Sequence, residues 1–100
     1  MRNVKNREAH NMNRITKEMI GAIDAVQNWQ SGNTQVCVED VGIVVYLNGD
    51  RIATVDGFNV LVDVQTLRQS PTRIAVSRLR ALGVDVEIID KMIKLNGKYI

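Results

Sequence analysis

Apolar positions along the chain change period three times, and each change marks an element. Met19, Ala22, Ile23 and Val26 recur at three- and four-residue steps, an apolar stripe that predicts a helix from about Thr16 to Trp29. Thr16 reads as its N-cap, with Ile15 and Ile20 spaced as a hydrophobic staple, and Ser31-Gly32-Asn33 as its stop. From Thr34 the pattern becomes that of strands, dense in β-branched residues through Gln35-Val36-Cys37-Val38 and Ile43-Val44-Val45-Tyr46-Leu47. Asn48-Gly49 suits a type I′ turn, which sets Val45 across from Ile52 and Tyr46 across from Arg51. Asp56-Gly57 predicts another, with Val55 against Phe58 and Ile52 against Leu61. The result is an antiparallel meander of four strands. Ile43 to Leu47 is apolar on both faces, so that strand is expected to be central and covered on each side by a helix.

Ser70-Pro71 reads as N-cap and first residue of a second helix, and Gly83 as its end after Leu82. Val84, Val86 and Ile88 alternate with Asp85 and Glu87 as a half-exposed strand. Met92 to Leu95 and Lys98 to Ile100 flank Asn96-Gly97, which repeats the Leu-Asn-Gly turn chemistry of residues 47–49. The expected architecture is α+β: an N-terminal helix, a four-strand antiparallel meander, a second helix and a C-terminal hairpin or three short strands, with the helices packed on the sheet.

Domain organisation follows from length. One hundred residues, 45% hydrophobic and 24% charged, make one globular domain, here residues 14–100, behind a polar leader over residues 1–13. The leader holds Arg2, Lys5 and Arg7 among four asparagines, with Val4 as its only large apolar residue before Met12. It is expected to be flexible and solvated, and has the pattern of neither a signal peptide nor a membrane span. Met12 offers a second start point, which makes residues 1–11 an optional extension.

Candidate chemistry is sparse. A single cysteine, Cys37, forms no disulfide within the chain and suits a reducing cytoplasm, and with His10 as the only histidine no set of soft zinc ligands exists. Asp85 and Glu87 share a strand face, yet read as the charged side of a hairpin rather than a metal pair. The isolated glycines build no phosphate-cradling loop. No catalytic residue, metal or cofactor is predicted, and the chain is read as a non-enzyme. Trp29 and Tyr46 are read as core-rim aromatics with one polar contact each.

Charge redraws the picture. The net is only +2, but residues 39–63 hold five acids and one base, whereas residues 64–82 hold four arginines and no acid. At about 100° per residue, Arg73, Ser77 and Arg80 share the outward stripe of the second helix. Together with Arg78 they are the predicted binding residues, because guanidinium forks take carboxylates and phosphates bidentately. Arg78 lies at the edge of the apolar arc, where it is expected to snorkel or to pair with Asp63 or Glu87. Exposed strand edges, at the meander and at Lys98 to Ile100, suggest a homodimer.

Two resemblances add to this. Val44-Val45-Tyr46-Leu47-Asn48-Gly49-Asp50-Arg51-Ile52-Ala53, then Ser70-Pro71-Thr72-Arg73 with Ser77-Arg78-Leu79-Arg80-Ala81-Leu82, then Lys94-Leu95-Asn96-Gly97-Lys98, resembles a set of small bacteriophage accessory proteins. The likeness spans about residues 43–100 and departs from the shared pattern at Ile74-Ala75-Val76. It implies a phage origin and an accessory role in the host cytoplasm, and brings no catalytic residues. The function expected on this basis is binding and inhibition of a host protein, with a nucleic-acid-binding module on Arg73, Arg78 and Arg80 as the alternative. That alternative reflects a second likeness. Asp63 to Arg68, a Ser-Pro-Thr turn, a basic helix and a strand pair are similar to the order of winged helix-turn-helix modules, although Val60, Val62 and Val64 alternate as a strand where such a module has its preceding helix.

Overall fold

The computed structural model describes the backbone of residues 3–100 and the side chains of residues 14–100. Helix α1 (Asn3–Ala25) enters well before Thr16, which therefore lies inside it and is no N-cap. The leader expected over residues 1–13 falls where side chains lie outside the described residues. The helix also ends short of Trp29. Val26 turns left-handed (φ 54°), and Gln27 N–H reaches back to the Ala22 carbonyl at 2.9 Å, closing the last turn. Met19, Ala22 and Ile23 are buried as the stripe requires, whereas Val26 leaves the stripe and is 58% exposed.

This early stop frees a fifth strand. β1 (Trp29–Ser31) pairs with β2 (Thr34–Glu39), so Gly32-Asn33 is a hairpin turn rather than a helix stop. β3 (Gly42–Leu47), β4 (Asp50–Asp56) and β5 (Asn59–Val62) continue the antiparallel meander in the order β1-β2-β3-β4-β5. Asn48 (φ 54°) and Gly49 (φ 82°) make the expected turn, and Tyr46 faces Arg51. Val45, however, faces Ala53, because the register shifts between Val45 and Tyr46 and makes Ile52 an extra residue. The bulge lets Ile52 and Ala53 both enter the core. The next turn is centred on Gly57-Phe58, one residue later than expected. Asp56 therefore faces Asn59, Val55 faces Val60 and Thr54 faces Leu61.

The expected second helix is present, and a further helix precedes it. α2 (Val64–Gln69) starts where Asp63 accepts the Thr66 N–H at 3.1 Å, and this cap halts the Val60, Val62, Val64 alternation. Ser70 closes α2, donating its N–H to the Thr66 carbonyl. Thr72, not Ser70, caps α3 (Arg73–Ala81), its hydroxyl accepting from Ala75 N–H at 3.1 Å. Past Leu82, Gly83 takes φ +90° as the sequence predicts. β6 (Val86–Ile89), β7 (Met92–Leu95) and β8 (Lys98–Tyr99) form a separate three-stranded sheet.

The Asp63 cap has a measurable pH signature. The Thr66 amide, helped by the Thr66 hydroxyl and by Arg51 at 3.3 Å, holds the Asp63 carboxyl below its ordinary value against the opposing effect of burial. A lowered folded value means that the carboxylate contributes stability fully above the ordinary carboxylate range and loses it as pH falls through the folded value. Asp63→Ala is therefore expected to cost about 1 kcal/mol near neutrality. Urea melts across the acid range should show that gap closing as the wild-type carboxyl protonates.

One core holds the molecule. Met19, Ala22 and Ile23 from α1, Leu67 from α2, Ala75, Val76 and Leu79 from α3, and Val86 and Ile93 from the small sheet pack with Val36, Val45, Leu47, Ala53 and Val55 of the meander. The helices that reach this core therefore share one face of the meander, not both as expected. On the other face, Val44 is 1% exposed without joining that cluster. Its cover comes from the sheet itself: Tyr46 donates its phenol to Glu39 at 2.7 Å, and since Glu39 stands opposite Gly42, the ring must run along β3 past Val44. Trp29, half-buried against the core, donates its indole N–H to Glu18 at 3.3 Å.

Candidate functional site: an arginine groove between α3 and β6

Thr72 aims the first turn of α3, and from there residues 73, 77 and 80 follow at helical spacing on one outward stripe. The structure brings Arg73, Ser77 and Arg80 together as predicted, around a groove of about 350 Å³. Its remaining lining is Val76 of α3 and Ile88 of β6, so an apolar floor lies between two guanidinium groups and a hydroxyl. Among the described residues no carboxylate lines it. Arg80 is anchored, its Nε donating to the Val86 carbonyl at 2.8 Å, which leaves its terminal nitrogens for a ligand. Sequence reasoning missed Ile88 and the Val86 carbonyl, because the contact between α3 and β6 is tertiary.

Arg78 is not part of this groove. It is 6% exposed on the core side of α3, and its Nε donates to the Thr34 hydroxyl at 3.1 Å. Neither Asp63 nor Glu87 pairs with it, contrary to expectation: Asp63 is engaged by Arg51 and the Thr66 amide, and Glu87 stands opposite Lys94 on the small sheet. Burial pushes the Arg78 pKa below its ordinary value. Its role is therefore internal.

Asp85 precedes β6 while Glu87 lies within it, and among the described residues no three His, Cys, Asp or Glu side chains gather as metal ligands. Cys37 is a free, half-buried thiol on β2. No helix among the described residues is long and apolar enough to cross a membrane.

The model of the Kyanoviridae Gp96 protein family matches residues 12–98. The chain belongs to this family. Membership makes it a bacteriophage protein, which is the origin implied by the likeness in its hairpin and helix residues. No curated protein and no solved structure matches the chain. The Gp96 match includes both walls of the groove, α3 and β6, together with the whole meander.

Proposed function

We propose that this Gp96 protein is a non-enzymatic accessory factor of infection that binds and inhibits a host protein in the host cytoplasm, seating an acidic segment of that protein in the arginine groove. The observation that carries the reading is the convergence of Arg73, Ser77 and Arg80 over Val76 and Ile88, with no carboxylate of the described residues in the lining. Two guanidinium groups recognise carboxylates bidentately, and the floor takes an apolar neighbour of the acidic residue. Duplex phosphates are a poorer fit. Tight electrostatic binding of nucleic acid draws on roughly 6–10 phosphate contacts, and the groove offers two cations over a greasy floor. The test pairs the wild type with Arg73→Glu and Arg80→Glu in affinity capture from host lysate. A host protein enriched by the wild type should bind each variant at least about tenfold more weakly. Equal capture by the variants, or no enrichment at all, refutes the reading.

A second reading, a small nucleic-acid-binding module, is favoured by one observation. α2, the Ser70-Pro71-Thr72 link, α3 and the β6–β7 pair follow the winged helix-turn-helix order, and Arg68 is exposed, as are Arg73 and Arg80. The five-stranded meander ahead of α2 is no part of such a module. Binding of oligonucleotides that weakens steeply with salt, with a slope that drops in Arg73→Ala, would favour this reading over the first.

A further inference from the structure

Sheet edges are sites of unwanted pairing, and natural folds usually blunt them. The meander and the small sheet have four between them, and three are blunted. β1 has only three residues, and beyond it the Val38 N–H is taken by the Asn28 side chain at 2.7 Å. The β6 edge receives the Arg80 side chain at the Val86 carbonyl. β8 has two residues, one of them Lys98.

β5 is different. Asn59-Val60-Leu61-Val62 contains no charge, no proline and no bulge. The Asp63 N–H donates inward to the Ile52 carbonyl, so by strand alternation the N–H and C=O groups of Val60 and Val62 point away from β4. Among the described residues nothing bonds them. Phe58, the chain's only phenylalanine, stands fully exposed at the turn leading into this strand, and Leu61 is 67% exposed. Beside the edge runs a groove of about 240 Å³ lined by Phe58, Val60, Val62, Leu82 and Val84 among others.

We infer that β5 is a self-association edge, on which a second copy of the chain pairs its own β5 antiparallel about a two-fold axis at Val60, joining the two meanders into one continuous sheet. Three features specify a second copy as the occupant. Opposing Val60 to Val60 keeps the core faces of both sheets on one side, as the period-two alternation demands. It brings Phe58 of each copy beside Val62 of the other, at the groove along the edge, so the same patch serves both copies as a closed two-fold interface requires. The paired residues Asn59 to Val62 carry no charge, so no carboxylate meets another within the seam. This surface is separate from the arginine groove.

Sedimentation equilibrium of the full chain tests it. The wild type is expected to be a dimer at micromolar to millimolar concentration, with slowed amide exchange at Val60 and Val62. Phe58→Ser and Leu61→Lys, both at exposed positions and so compatible with folding, should each raise the dimer dissociation constant by at least about tenfold. Arg80→Ala should leave it unchanged. A monomer throughout that range overturns the proposal, including the case in which β5 takes only a foreign extended peptide. So does a dimer that neither variant weakens. Loss of host-protein capture in the groove variants leaves this result untouched, which keeps the two surfaces experimentally distinct.

Discussion

Gly42→Ala should lower the unfolding free energy by about 3 kcal/mol, the sum of two independent penalties. Gly42 opens β3 at φ +133°, a backbone conformation that side-chain-bearing residues rarely adopt. Strain of that kind costs about 1–3 kcal/mol. A Cβ there would also lie 2.7 Å from the Val55 carbonyl oxygen, a backbone atom of the neighbouring strand that cannot swing aside. Forcing such a contact apart adds about 1–3 kcal/mol. For a domain of this size the thermal midpoint should fall by at least about 10 °C. Gly21→Ala is the matching control: it is helical, nothing lies within 4 Å of its Cβ position, and the exchange should gain about 0.5–1 kcal/mol. Equal melting of Gly42→Ala and wild type would show that the β3 entry is relaxed rather than strained.

Thr34→Val should cost about 2 kcal/mol, because it removes the hydroxyl that receives a buried guanidinium. Thr34 is 0% exposed and Arg78 6%, and the Nε–Oγ1 bond of 3.1 Å is the hydrogen bond that ties Arg78 to the meander. The salt bridges among the described residues are Arg14–Glu18 and Arg51–Asp63, so no carboxylate compensates the loss. Arg78→Met removes the cost of desolvating the cation while filling similar space, and is expected to be neutral or stabilising. In that background Thr34→Val should be nearly silent. A double-mutant cycle in denaturant should therefore return a coupling of about 2 kcal/mol. Additive effects would mean that the hydroxyl and the guanidinium do not depend on each other.

These two residues also show where sequence reasoning stops. Asn48-Gly49, Asn96-Gly97 and the Gly83 helix end were legible because a positive φ angle is a local demand that the residue type announces. α2 was hidden because Val60, Val62 and Val64 keep strand period across its start, and only the Asp63 side chain breaks it. The end of α1 was misplaced because a valine, the least expected residue type at positive φ, makes the left-handed turn. Arg73, Ser77 and Arg80 could be grouped from a helical wheel since they share α3, while Ile88 and the Val86 carbonyl could not. The partner of Arg78 lies 44 residues away, beyond any local signal.

The meander's order has a kinetic consequence. Every strand from β1 to β5 pairs with its immediate chain neighbour, so each ladder closes only a short loop and the sheet can zip hairpin by hairpin as the polypeptide leaves the ribosome. α3 must wait, since its anchor on Thr34 spans most of the sheet's own sequence. Docking of the helical and basic half onto the paired ribbon is then the long-range event, whereas the arginine groove, lined by α3 and β6 alone, draws on contacts confined to residues 73–88.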